Sequence, residues 1–200
     1  MSAVLRHPAV PYSLVLILSA VWAGMHLPGI GITADSLLEL TRLTARTSVL
    51  FFIAAFAVGA LAKITRSQAA RQLVRNRRHI GLAFALAHFL HLGVLVAYFA
   101  VSGEDPGIIS IVGGGTAYLM IAVMTATSNN LSMRKLGANW RKIHVVCSWY
   151  VWLIFLNSYT GRVLEGREPA WMFIAITALL LGAALLRLVV RVRARTEVTA

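Results

Sequence analysis

The chain has 200 residues, 58% of them hydrophobic and 13% charged, with a mean hydropathy of +0.75. That apolarity excludes an ordinary soluble domain and marks a membrane protein. The net charge of +12 does not indicate a nucleic-acid partner, because the cations are segregated by segment, as membrane topology requires.

An apolar run over 12–33 follows Arg6. It is longer than a secretory signal core and reads as a first transmembrane helix. Further helices are expected near 46–63, 80–102, 108–128, 141–160 and 169–190. The charge-free stretches there are near or above the ~18–20 residues that cross a ~30 Å hydrocarbon core. The shortest is extended by snorkelling of Arg46 and Lys63. The expected fold is all-α, a polytopic bundle of six transmembrane helices forming a single domain over 1–200.

Of the 19 Lys and Arg, 15 fall in the amino-terminal tail, the second and fourth connections and the carboxyl-terminal tail. The other connections hold Asp35, Glu39, Glu104, Asp105, Glu165 and Glu168. The positive-inside rule then places both termini in the cytoplasm, consistent with an even number of spans. Basic residues at that face also attract anionic lipid. The stretch from Lys63 to Arg78 mixes apolar residues with cations, as an interfacial amphipathic helix or a solvated basic loop would.

Gly113, Gly114 and Gly115 open helix 4 and suggest close helix packing, since the Lys and Ser/Thr of a phosphate loop are missing. Cys147, the only cysteine, excludes an internal disulfide and a thiolate metal cluster, and reads as packing. Trp140 and Tyr159, near the two ends of helix 5, read as interfacial belt residues.

Three histidines fall inside spans. His88 and His91 are three apart and share a face of helix 3, and His144 lies on helix 5. Ionisable side chains inside a membrane usually face the bundle interior and mark functional sites. Imidazole is an axial ligand of haem iron, and facing helices can clamp a cofactor. Carboxylates are absent from the spans, which argues against a hard-cation or di-iron site. His79 is placed at the interface and His26 near the outer end of helix 1.

The stretch "RRHIGLAFALAHFLHL" resembles the helix 3 signature of the ferric reductase-like transmembrane domain superfamily through Arg77, Arg78, Ile80, Gly81, Leu82 and His91. The stretch "RKLGANWRKIH" is similar to the start of its helix 5 through Leu136, Gly137, Trp140, Ile143 and His144. Within that superfamily the likeness is nearest to the haem-binding membrane subunits of bacterial methionine sulfoxide reductase systems. It covers about 45–191.

The resemblance implies b-type haem between helices 3 and 5, with His91 and His144 as ligands. It also implies electrons taken from a flavin, a flavoprotein or a quinol on the cytoplasmic side. Arg77 and Arg78, with Arg141 and Lys142, could hold haem propionates or a flavin phosphate. The superfamily's second helix 5 histidine is replaced here by Asn157. Three arrangements are compatible with the residues: His88 or His91 with His144 around one iron, His91 with an outer partner such as His26, or no haem.

The expected function is therefore a b-haem electron-transfer subunit of an oxidoreductase in the bacterial inner membrane. Its expected partners are lipid and a redox protein or quinone. The alternative is a haem-free scaffold that kept the fold. A transporter, which would show broken helices or midplane charges, stands behind both.

Overall fold

The computed structural model describes residues 7–26, 31–65 and 67–199. Eight helices follow in chain order: α1 (Val10–His26), α2 (Ala34–Thr65), α3 (Gln68–Arg75), α4 (Arg77–Ser102), α5 (Ile108–Ala126), α6 (Asn130–Leu136), α7 (Ala138–Leu164) and α8 (Ala170–Thr199). The described residues contain no strand, as the all-α expectation required.

Four helices, α2, α4, α5 and α8, are long and apolar enough to cross a bilayer. α1 is apolar but has 17 residues. The stretch expected to extend it, 27–30, lies outside the described residues. α7 has 27 residues, yet its histidine, asparagine and indole and phenol groups dilute its apolar character. The chain is a multi-pass membrane protein. Large apolar residues point outward from its helices, among them Ile17, Val96, Leu119, Leu153 and Leu185, as side chains facing lipid do.

The start of α2 departs from expectation. Charges at Asp35, Glu39, Arg42 and Arg46 suggested a connection up to residue 45, but the helix already begins at Ala34. Its early turns tolerate polar side chains because most of the hydroxyls hydrogen-bond a carbonyl of their own helix, Thr41 being the buried exception. Thr44 donates to the Leu40 carbonyl at 2.9 Å, Thr47 to Leu43 at 3.0 Å and Ser48 to Ala45 at 2.9 Å. Those residues can then be buried without orphaned groups.

Helix ends follow local chemistry. The Ser67 hydroxyl caps α3 by accepting from the Ala70 amide at 3.1 Å, and Asn129 caps α6 by accepting from the Ser132 amide at 2.8 Å. Gly103 ends α4 with φ of 70°, a left-handed conformation that glycine adopts without strain.

α2 is the central helix and packs on α1, α3, α4 and α8; α7 packs on α5 and α8. The core joins Phe52, Phe56, Phe84 and Phe155, with ring centroids 5.2 Å apart from Phe52 to each of the other three. The triple glycine does not bring backbones together. A Cβ on Gly113 would meet Ile154 at an ordinary 3.7 Å, and Gly114 and Gly115 have nothing within 4 Å. α5 instead buries Ala117 and Ile121 one turn further on.

A candidate cofactor site around two interior imidazoles

The period of α4 gives it two working faces. Ala83 and Ala87 pack against Val15 of α1. Phe84, His88 and His91 lie on the neighbouring face, where Phe84 and His88 meet Phe155 of α7. His88 stacks on Tyr118 of α5 with centroids 4.5 Å apart, and its edge meets Phe155 at 5.4 Å. His91 is its ring neighbour at 5.6 Å.

α2 fixes both rings. His88 Nδ1 lies 3.1 Å from Ser48 Oγ, and His91 Nδ1 lies 3.0 Å from Thr44 Oγ1. Each hydroxyl already donates its one proton to a helix carbonyl, Ala45 for Ser48 and Leu40 for Thr44. With the hydroxyl proton on its helix carbonyl, each oxygen is an acceptor for an Nδ1–H, the arrangement in which Nε2 carries the lone pair. A hydrogen bond at one ring nitrogen that orients the other is the outer shell of metal-ligating imidazoles. The Tyr118 hydroxyl beside this pair is buried and has no hydrogen-bond partner, and the Thr41 hydroxyl on α2 shares that state.

His144 is not brought to them. Phe155, the α7 residue at the level of His88, is eleven positions further along, ~16 Å at 1.5 Å per residue. His144 stacks on Trp140 at 4.1 Å and its Nε2 lies 2.9 Å from Thr127 Oγ1, where α5 ends. The Trp140 indole donates to the Thr127 carbonyl at 2.8 Å, so it also ties α7 to the end of α5. Asn157 is exposed, two residues from Phe155 and on the other side of α7.

Arg77 and Arg78 also stand apart from the imidazole pair, at the start of α4. Arg77 Nε donates to the Ala55 carbonyl at 3.3 Å and Arg78 Nη1 to Asn130 Oδ1 at 3.1 Å. His79, at the same end, meets the Tyr12 hydroxyl at 3.2 Å. Among the described residues no three His, Cys, Asp or Glu side chains converge as a metal cage, so the donor set is an imidazole pair.

Ser48, Thr44, Tyr118 and Phe155 were missed by reading histidines alone. Hydroxyls four apart on α2 opposite imidazoles three apart on α4 are a signal the sequence does carry. The contact of Tyr118 has no such signature, because it depends on how α5 is docked.

The fold and this site define a helical membrane protein with an ordered imidazole pair in its interior. No family model matches the chain, and no solved structure matches it. It is similar to the protein-methionine-sulfoxide reductase heme-binding subunit MsrQ of Salmonella paratyphi B and of Salmonella newport. Each is 29% identical over 125 residues, covering 58% of this chain and 60% of the relative. The match thus spans about three fifths of the relatives' length.

Proposed function

We propose that this chain is a haem-binding electron-transfer protein of the bacterial inner membrane, the membrane subunit of a reductase system. In this reading it is a single domain over 1–200 with six spans and both termini in the cytoplasm. It takes electrons from a cytoplasmic flavin, flavoprotein or quinol and passes them to a redox partner. The observation that carries the reading is the interior imidazole pair, with both Nδ1 atoms anchored by α2 hydroxyls. The likeness to heme-binding subunits supports it.

The imidazole pair supports haem iron on the α4 side, and the ~16 Å between His144 and the level of Phe155 on α7 speaks against a clamp of two imidazoles between α4 and α7. His91 is the proposed ligand, on the face of helix 3 that the superfamily resemblance implies. Haem, when bound, supplies one-electron chemistry. Thr44 holds the His91 ring, and His88, wedged by Ser48, Tyr118 and Phe155, limits the movement of His91. The aromatic packing excludes water and lowers the local dielectric, which tunes potential. His144, with Thr127 and Trp140, forms a separate station near Arg77 and Arg78.

A dithionite-reduced minus oxidised visible spectrum of the purified protein tests this. A sharp b-type band supports the electron carrier. A flat spectrum from haem-replete cells supports the second reading, a haem-free scaffold, which the exposed Asn157 and the closed contact of His88 with Phe155 favour.

A further inference from the structure

Arg187, seventeen residues into α8, has its guanidinium inside the bundle. Its Cζ stands 3.9 Å from the ring centroid of Phe56 and 5.4 Å from that of Trp149. Phe56 is 3% exposed. Arg187 Nη1 is buried and makes no hydrogen bond. Stacking on aromatic faces offsets part of the desolvation of a cation, but it satisfies none of the guanidinium N–H groups.

Arg77 approaches the same turn of α2 from α4. Its Nε donates to the Ala55 carbonyl at 3.3 Å. Its Nη1 lies 3.5 Å from where a Cβ on Gly59 would sit. Arg77 and Arg191 both act on Arg187 with like charge. The described ion pairs, Arg42 with Glu39 and Arg167 with Glu165, belong to the opposite end of the bundle. Glu104, Asp105 and Glu168 lie at that end too, in the connections from α4 to α5 and from α7 to α8. Two guanidiniums therefore converge on one helical turn with no described carboxylate near, in a region where an unneutralised charge is expensive.

We propose that Arg187 and Arg77 form an oxyanion site against the Ala55–Gly59 turn of α2, taking a phosphate or carboxylate group. Two guanidiniums recognise such groups by paired N–H donation, and the anion supplies the acceptor that Nη1 lacks. The site is independent of the imidazole pair and does not rest on haem. Its ligand is either a phosphate from the headgroup layer or a small soluble oxyanion.

The test is thermal unfolding of the full chain in phosphatidylcholine nanodiscs titrated with inorganic phosphate at constant ionic strength, and in phosphatidylglycerol nanodiscs without phosphate. A ligand that binds only the folded state raises the midpoint saturably. The wild type is expected to show a rise of several degrees in at least one arm. Response to phosphate assigns a soluble oxyanion, and response to phosphatidylglycerol alone assigns a lipid headgroup. R187Q should lose that response, R187K should weaken it by losing the planar fork, and R134Q, a surface control, should keep it. A wild type indifferent to both anions, or an R187Q variant that responds as the wild type does, overturns the proposal.

Discussion

Thr44 and Ser48 each hold Nδ1 of one interior imidazole while also reaching a helix carbonyl. Thr44→Val keeps the shape and removes the acceptor, leaving His91 Nδ1–H unpaired. Haem affinity should fall about 10–100-fold in a haem titration, the usual effect of losing an outer-shell partner. Tyr118→Phe removes a buried hydroxyl that has no partner and keeps the ring stacked on His88. It should leave the haem-free protein as stable or more so, by up to about 1–3 kcal/mol in chemical denaturation. A clear loss of stability would mean that the hydroxyl is bonded after all. The histidines were legible in the sequence because polar groups in an oily run stand out. Arg187 was not, because its position near the end of the expected span 169–190 reads as a tail cation and only the fold shows its guanidinium over Phe56.

At the scale of helices, hydropathy found the apolar segments but misjudged where α2 begins. Charge spacing alone treats Asp35 to Arg46 as a connection, whereas hydroxyls that bond their own helix let α2 start at Ala34. The glycines mislead in the opposite sense. Their composition suggests a packing seam, yet the neighbours leave room, so Gly114→Ala should be tolerated with no loss of folded yield and a gain in helix propensity. Ala117, 2% exposed, occupies the tight contact instead. Ala117→Leu should overpack it at a cost of about 1–3 kcal/mol, read as a lowered unfolding midpoint. The separation of His144 from the α4 histidines also belongs to this scale, because helix depth is set by where each helix starts and not by motif likeness.

For the whole molecule, the contact of Arg78 with Asn130 and that of Trp140 with Thr127 gather the starts of α4, α6 and α7 and the end of α5 at one end. Six of the seven acids mark the other end. The proposed orientation predicts that a reporter fused after Ala200 is active in the cytoplasm and that one inserted between Gly103 and Gly107 is active outside. The reverse pattern would invert the direction of electron flow proposed here. The central claim is that His91, held by α2, carries the iron ligand while His144 belongs to a separate station. Haem per polypeptide in wild type, His91→Ala and His144→Ala, measured side by side as the pyridine haemochromogen, tests it most directly. The account predicts loss of haem from His91→Ala and wild-type content in His144→Ala; haem retained in the first, or lost equally from both, would contradict it.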